Sequence, residues 1–175
     1  MAINERLARG LVLLGMFAML LVGCSGGTHT PDASARKTEV GSSADTLAVK
    51  ALLDEWVRLY NAGAYEALVA AFYAEDACLL SPYGPPRHGR EAILASLVAD
   101  AAVNEEHCNT SVVEDMRVSG DLVAALGSDT GTTTPKQGGT PESYILRWVM
   151  VFQRQADDSW KCIYEIWNED NAAGE

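Results

Sequence analysis

The sequence predicts an α+β domain in which three helices precede a curved, mostly antiparallel sheet. Between residues 47 and 102, apolar residues recur at helical spacing. Between residues 107 and 168, β-prone residues fill four long stretches separated by turn residues. A short apolar run at residues 77–80 stops at Ser81 and Pro82 and is too short for a helix. We expect this run to be a buried strand that joins an edge of the sheet.

The first helix is predicted from an apolar face, and a glycine marks its end. That face holds Leu52, Leu53, Trp56, Val57 and Tyr60. Asp45 or Thr46 can cap its start, and Gly63 can supply the left-handed residue that ends it. Leu68 and Phe72 continue the helical spacing, which predicts a second, short helix after Gly63.

The remaining elements follow from turn residues and from the change of period. Residues 82–88 are rich in proline and glycine and are predicted to form a loop before a third helix over residues 89–102. The four long strands are predicted at residues 110–118, 122–134, 143–154 and 160–168.

Length and charge limit the classes of function. A chain of 175 residues suits one domain with additional segments. The formal net charge of −11 argues against binding to nucleic acid and against a polybasic membrane-binding surface. An acidic surface of this kind mainly keeps a protein soluble.

The N-terminus has the layout of a bacterial lipoprotein signal peptide. Arg6 and Arg9 precede an uncharged apolar stretch at residues 11–23, which is short for a membrane-spanning helix. The stretch ends in a small residue followed by Cys24, and residues 21–24 resemble a lipobox. This resemblance implies that Cys24 carries lipid and becomes the first residue of the mature chain.

These features divide the chain into four parts. We expect a signal peptide at residues 1–23, a lipidated flexible tether at 24–44, a folded domain at 45–171 and a tail at 172–175. The protein is therefore expected in the cell envelope, anchored to a membrane. Serine rather than aspartate follows Cys24, which favours the outer membrane, facing the periplasm, if the cell is Gram-negative.

The other cysteines leave two alternatives open. Cys78, Cys108 and Cys162 could form one disulfide with one thiol left over, or remain as three buried free thiols. Neither their spacing nor the three histidines suggest a metal site, so no metal and no cofactor are expected.

The order of several short motifs resembles the SnoaL-like, DUF4440-type branch of the nuclear transport factor 2-like superfamily. In chain order these motifs are Tyr60-Asn61-Ala62-Gly63, Phe72-Tyr73-Ala74-Glu75-Asp76-Ala77, Gly89-Arg90-Glu91-Ala92-Ile93, Trp160-Lys161 and Trp167-Asn168. The resemblance covers roughly residues 45–170. It implies a cone, with a curved sheet wrapped around the helices and a cavity at its open end. It also implies that the outer face of the sheet can form a homodimer.

The resemblance implies no particular reaction, because this fold carries many functions. Ketosteroid isomerases of the superfamily use a tyrosine, an aspartate base and a protonated aspartate. Aligned on the motifs above, these three positions fall at Trp56, Ser81 and Met150. None of the three functional groups is present, so we do not expect that chemistry.

The same alignment predicts which side chains face the cone. They are Trp56, Tyr60, Ser81, Trp148, Met150, Ile163, Glu165 and Trp167, with Tyr83 at the mouth. These residues could fill the core, line a pocket for a small apolar or aromatic molecule, or form a catalytic site. Two functions stay open: a membrane-tethered binding module, or an isomerase, lyase or hydrolase that acts on a small apolar substrate.

Glu165 is the candidate acid or base, because strand alternation places it beside Ile163 and Trp167. Buried there, its carboxylate would have a raised pKa. The alternative is that Glu165 pairs with Lys161 near the open end of the cone.

Strict alternation also places a second apolar stripe on the opposite face of the last strand. It consists of Trp160, Cys162, Tyr164 and Ile166. An exposed apolar face of that size is unfavourable, so we expect a homodimer interface there, or a surface covered by another part of the chain.

Overall fold

A computed structural model describes residues 43–170, which all belong to one unit. Its helices are α1 (Ser43–Asn61), α2 (Tyr65–Phe72) and α3 (Gly89–Val103). The three predicted helices are therefore confirmed, and α1 begins slightly before the predicted domain boundary at residue 45. The predicted signal peptide, Cys24, all but the end of the tether and the tail at 172–175 lie outside the described residues.

Gly63 ends α1, as predicted. Its φ of +66° is left-handed. The Gly63 amide donates to the Tyr60 carbonyl at 2.9 Å, and the Ala64 amide donates to the Leu59 carbonyl at 3.0 Å. The resulting tight turn lets Leu59 of α1 and Leu68 of α2 bury their side chains in the same core.

Six strands form one mixed sheet in the order β2-β1-β6-β5-β4-β3. They are β1 (Tyr73–Leu80), β2 (Arg87–His88), β3 (Asn104–Ser119), β4 (Leu122–Pro135), β5 (Glu142–Arg154) and β6 (Trp160–Glu169). The pair β1–β6 is parallel and the other pairs are antiparallel. The predicted α+β fold with a curved, mostly antiparallel sheet is confirmed. The short β2 corrects the predicted loop over residues 82–88, because its backbone pairs with β1.

Two glycines of β4 make room for two aromatic rings of β5. Gly127 is the register partner of Trp148, and Gly131 is the register partner of Tyr144. A Cβ atom on Gly127 would lie 2.3 Å from the Trp148 ring, so this position accepts no larger residue without a shift. Strand β3 has a β-bulge beside each glycine. Bulges and glycines bend a sheet, and here they let the rings lie across its inner face.

A β-bulge in β6 overturns the predicted grouping of its side chains. Phe152 pairs with Cys162 and Val151 pairs with Tyr164, so Ile163 is an extra residue with no partner of its own. Trp160 and Cys162, which precede the bulge, therefore lie on the opposite face of the sheet from the one that strict alternation predicts.

The predicted outer stripe on β6 is consequently wrong. Trp160 and Cys162 are 5% and 0% exposed, whereas Tyr164 and Ile166 are 57% and 50% exposed. Trp160 instead packs at the inner face, where the Arg154 guanidinium lies 4.4 Å above its ring.

The core lies between the helices and the inner face of the sheet. The outer face carries two rows of apolar residues in register across three strands. We call these six residues the outer patch: Leu126, Val149 and Ile166 in one row, and Ala124, Val151 and Tyr164 in the other. No helix within residues 43–170 is long and apolar enough to cross a membrane.

The alternatives for the three cysteines are resolved by their positions. Cys78, Cys108 and Cys162 are all buried free thiols. Cys78 lies on β1, Cys108 on β3 and Cys162 on β6. They therefore contribute to the domain as buried side chains rather than as a covalent link.

Candidate functional site

Glu165 lies on the inner face of β6 and is 6% exposed. The Tyr73 hydroxyl donates a hydrogen bond to Glu165 Oε2 at 2.5 Å. Tyr73 begins β1 directly after α2 and is 2% exposed. Arg90 of α3 donates from Nε to the Tyr73 carbonyl at 2.8 Å. The tyrosine is therefore held from its backbone while its hydroxyl contacts the carboxylate.

The predicted pairing of Glu165 with Lys161 is wrong. Lys161 Nζ donates to the carbonyls of Ala70 and Ala71, at the end of α2. Those carbonyls lack partners within the helix, which explains why a lysine is favourable there. Within residues 43–170, no lysine or arginine lies at ion-pair distance from Glu165. The reading of Glu165 as a buried carboxyl without a cationic partner is the one the geometry supports.

Burial raises the pKa of Glu165 to about 7. The Tyr73 hydrogen bond opposes this rise, and the Asp129 carboxylate adds to it. Burial also raises the pKa of the Tyr73 phenol and of the Cys162 thiol, and the charge of Glu165 contributes to both shifts. Glu165 is therefore the group in this cluster that can gain or lose a proton near neutral pH.

Asp129 is a second buried carboxyl, and it is not among the predicted site residues. It is 7% exposed on β4, and Trp148 Nε1 donates to Asp129 Oδ1 at 2.8 Å. Burial raises its pKa, while hydrogen bonds from Ser111 and Trp148 oppose the rise. A signal was present in the sequence, because Asp129 falls between Gly127 and Gly131 on the inward phase of an alternating strand.

Trp56 brings an indole donor to the same region. Its ring stacks on Tyr60 with centroids 4.7 Å apart and planes at 10°. Its indole Nε1 is buried, and within residues 43–170 no acceptor meets it at full hydrogen-bond geometry. The indole N–H faces the Tyr73 hydroxyl oxygen, and this hydrogen-bonding interaction opposes the rise in the pKa of Tyr73. The indole is therefore a third polar group beside the pair of Tyr73 and Glu165.

Tyr60 contributes its ring to the site, but its hydroxyl already donates a hydrogen bond elsewhere. That hydroxyl donates to Glu106 of β3, and burial together with the Glu106 charge raises the pKa of Tyr60 well above its usual value. The neighbouring Asn61 side chain exchanges two hydrogen bonds of 2.8 Å with the Cys108 backbone. These contacts fix the end of α1 against the edge strand β3.

Tyr83, which is predicted at the mouth, forms a cluster with Ser81 and Trp167, which are predicted to face the cone. Tyr83 is 62% exposed, and its ring meets Trp167 edge-on at 5.8 Å. Its hydroxyl donates to Glu169. The Ser81 hydroxyl accepts from the Tyr83 amide at 3.2 Å and from Arg87 at 2.9 Å. Ser81 therefore orders the loop between β1 and β2.

The sheet itself places the remaining predicted residues. Trp148 and Met150 are buried, and they are register partners of Trp167 and Glu165 respectively. Ile163 is the bulge residue and packs against the edge of the core. The inner face thus brings Trp148, Met150 and Glu165 together.

A groove of about 410 Å³ lies elsewhere, between α1 and β3. It is lined by Thr46, Leu47, Lys50, Ser111, Val112, Val113 and Met116. None of the predicted pocket residues belongs to this lining. Ser111 connects the groove to the interior, because its side chain also bonds to Asp129.

Three polar groups from three elements therefore converge inside the domain: the Trp56 indole, the Tyr73 hydroxyl and the Glu165 carboxyl. Such a set can donate to, accept from and exchange a proton with a small molecule. Across residues 43–170, no three His, Cys, Asp or Glu side chains are grouped closely enough to hold a metal ion.

A comparison with protein-family models matches residues 53–163 to the SnoaL-like domain, which is more than half of the chain. The chain belongs to the SnoaL-like family. The matched region contains α2, α3 and β1 to β5, together with the second half of α1 and the start of β6 up to the bulge residue. A search of curated proteins gives no significant match.

Solved structures share the fold of this SnoaL-like domain. A ketosteroid isomerase-like protein from Erwinia carotovora atroseptica has a TM-score of 0.67 at 15% identity, covering 74% of this chain and 99% of its own. An NTF2-like protein with a cystatin-like fold from Novosphingobium aromaticivorans has a TM-score of 0.58 at 20% identity, with coverages of 75% and 85%. ActVI-ORFA from Streptomyces coelicolor has a TM-score of 0.58 at 17% identity, with coverages of 74% and 100%. At these identities the comparison concerns the fold alone.

Proposed function

We propose that this protein is a membrane-anchored bacterial lipoprotein whose SnoaL-like domain binds a small, mostly apolar or aromatic molecule at the inner face of its sheet. The observation that carries the proposal is the buried set of Trp56, Tyr73 and Glu165. Burying a carboxyl without a cation costs stability, and so does burying the hydroxyl and the indole N–H beside it unless each is well hydrogen-bonded. A core selected for stability alone would place apolar side chains at these positions, so their presence favours a ligand.

The surrounding rings suit a flat ligand. Trp56 and Tyr60 stack in parallel and are both half-buried, so their faces lie at the border between core and surface. Trp148 and Trp167 add further aromatic surface from β5 and β6. Binding sites for small molecules commonly combine aromatic walls with a few polar groups in this way.

This function predicts that 2-methylnaphthalene, a flat apolar probe, binds to the mature chain. The protein for this test spans residues 24–175 and carries Cys24→Ser, which removes the lipid and keeps every described residue. Titration should move the indole N–H signals of Trp56 and Trp148 in an NMR spectrum, because ring currents act over short distances. Indole signals that stay unchanged up to the solubility limit of the probe would contradict the proposed pocket.

An enzyme is the second candidate, and one observation favours it. The pKa of Glu165 is about 7, which suits a group that accepts and returns a proton at neutral pH. Tyr73 would position the carboxylate through its 2.5 Å hydrogen bond. The reaction would then be of the isomerase, lyase or hydrolase type on a small apolar substrate. Glu165 would be its acid or base, because the tyrosine and the two aspartates of the ketosteroid isomerases are absent at Trp56, Ser81 and Met150.

The anchor is proposed from the N-terminal sequence. Lipid on Cys24 would hold the domain at the cell envelope, with the outer membrane favoured by Ser25. The remaining tether would let the domain sample ligand close to the membrane surface.

We also propose that the domain forms a homodimer through the outer patch, which replaces the stripe predicted from strict alternation. Tyr164 and Ile166 are retained from that stripe, and the neighbouring strands extend them into two rows. Arg147 on the same face already pairs with Glu114 and Asp170, so charges border the apolar rows.

Tyr164→Lys should convert the dimer into a monomer, because each copy would bury a lysine against its partner. Light scattering on the mature chain carrying Cys24→Ser measures the mass directly. Val98→Lys is the matched control, since Val98 is a 45% exposed apolar residue on α3, outside the patch. An unsubstituted chain that is already monomeric at high concentration would show the proposal to be wrong.

A further inference from the structure

Strand β3 forms one edge of the sheet, and part of that edge faces the groove of about 410 Å³ beside α1. Ser111, Val112 and Val113 all line this groove. Successive residues of a strand point to opposite faces, and here the Ser111 side chain reaches the buried Asp129 whereas Val112 is 52% exposed. A groove that three consecutive residues line must therefore run along the edge of the strand, where both faces meet.

This edge offers backbone hydrogen-bonding groups. Within the described sheet β3 pairs with β4 alone, so every second residue directs its N–H and C=O groups away from β4. At Cys108 the outward N–H and C=O groups both bond to the Asn61 side chain at 2.8 Å. Nearer the start of α1, the groove separates the helix from the strand. Regular pairing with β4 runs from Thr110 to Val113 between two β-bulges, so the regular part of this edge is four residues long.

We propose that an extended peptide with an acidic residue binds in this groove and adds to the edge of β3 as a further strand. The site is separate from the proposed small-molecule site at the inner face and from the outer patch. Leu47 of α1 and Met116 of β3 line the groove and would contact an apolar side chain of the peptide. Backbone hydrogen bonds would hold the peptide, and the side chains of the groove would select its sequence.

Lys50 accounts for the acidic residue. It is the one charged side chain that lines the groove. Its Nζ lies 3.5 Å from an Asp54 carboxylate oxygen, but both side chains are more than half exposed, and such surface pairs contribute little to stability. Glu114 and Asp115 of β3 bond to arginines outside the lining. A peptide carboxylate can therefore join or replace Asp54 as the partner of Lys50.

A single strand fits this edge better than a second copy of the domain does. Helix α1 borders the groove in every copy. If two copies joined antiparallel through β3, both α1 helices would lie on the same side of the continuous sheet and meet at the joint. A peptide brings no helix with it, so it can enter the groove without this clash.

The probe is the peptide acetyl-Thr-Val-Thr-Glu-Thr-amide, added to the mature chain carrying Cys24→Ser. In an NMR titration it should shift the backbone amide signals of residues 110–113. Two methylated peptides test the backbone pairing: one carries N-methyl groups on valine and glutamate, and the other carries them on the second and third threonines. Alternate amides of a strand face opposite edges, so only one of the two should lose affinity, by about tenfold for two hydrogen bonds. Equal affinities of the two methylated peptides would overturn the inference.

Lys50→Glu tests the acidic residue of the peptide. It should weaken binding of the glutamate peptide by up to about fivefold, the range of an exposed ion pair, and strengthen binding of a peptide with lysine at that position. Arg58→Glu is the matched control, since it makes the same charge change and also breaks an exposed ion pair of α1, outside the groove. Equal effects of the two substitutions would overturn the acidic peptide as the partner.

Hydrogen exchange of the free chain shows whether the edge is already occupied. The amides of residues 110–113 that point away from β4 should exchange rapidly, and the peptide should slow them. If they are protected without peptide and the protection grows with protein concentration, a second copy holds the edge. If the protection is independent of concentration, another segment of the chain holds it. Either result, or no shift up to the solubility limit of the peptide, would overturn the inference and leave the small-molecule site standing.

Discussion

Glu165→Gln should make the domain more stable at about pH 8, by up to about 3 kcal/mol. The folded domain raises the pKa of Glu165 from an ordinary value of 4.5 to about 7. Above pH 7 the wild-type protein must therefore hold an ionised carboxylate in an apolar interior. Glutamine keeps the shape and an acceptor for Tyr73, but it carries no charge there.

The expected pH dependence follows from the same shift. Because the pKa is higher in the folded state, the folded protein retains a proton that the unfolded chain has released. The contribution of Glu165 to stability is fully present below about pH 4.5 and is lost as the pH rises through about 7. Asp129 acts in the same direction, since burial also raises its pKa. Tyr73 and Cys162, which face Glu165, have pKa values raised by burial, so they stay neutral across this range.

Urea unfolding at about pH 5 and about pH 8 measures both effects. The urea concentration at the wild-type midpoint should decrease from about pH 5 to about pH 8. The midpoint of Glu165→Gln should decrease much less. Glu169→Gln is the matched control, because it makes the same chemical change on the same strand near the mouth. If the midpoint decreases equally in the wild type and in Glu165→Gln, Glu165 is not a buried titrating group.

Cys24→Ser should abolish membrane attachment of the full-length precursor, or leave that precursor unprocessed. Several acyl chains on one cysteine give stable anchoring, and serine cannot carry the thioether-linked lipid. After cell fractionation, the membrane fraction should contain no processed form of the variant. Mass spectrometry should find no lipidated N-terminus.

Ser25→Ala tests whether the effect is specific to the cysteine, since it changes the adjacent residue and should remain lipidated. A Cys24→Ser chain with the wild-type mature mass and the wild-type membrane fraction would rule out lipidation at this position.

Several elements could be read from the sequence because their signals are local. Gly63 ends α1 by its left-handed backbone, and the change from helical to alternating spacing separates the helices from the sheet. The long strands extend the predicted ones by a few residues at most, except for β3, which begins at Asn104 rather than residue 110. The inward position of Glu165 was also predicted, since it lies on the same side of the bulge as Trp167.

The tertiary structure decided the features that depend on register between distant strands. One extra residue at Ile163 moved Trp160 and Cys162 to the inner face, and an apolar sequence on both faces gave no sign of it. The partner of Glu165 is Tyr73, which is distant in sequence and reaches it only through the parallel pairing of β1 with β6.

Local spacing thus determined the helices, the strands and the turns of this protein, because backbone preferences act over a few residues. The buried cluster of Trp56, Tyr73, Asp129 and Glu165 was decided by packing, because α1, β1, β4 and β6 meet only in the folded chain. Burial then gave Glu165 a pKa near neutrality, a property that no neighbouring residue in the sequence could confer.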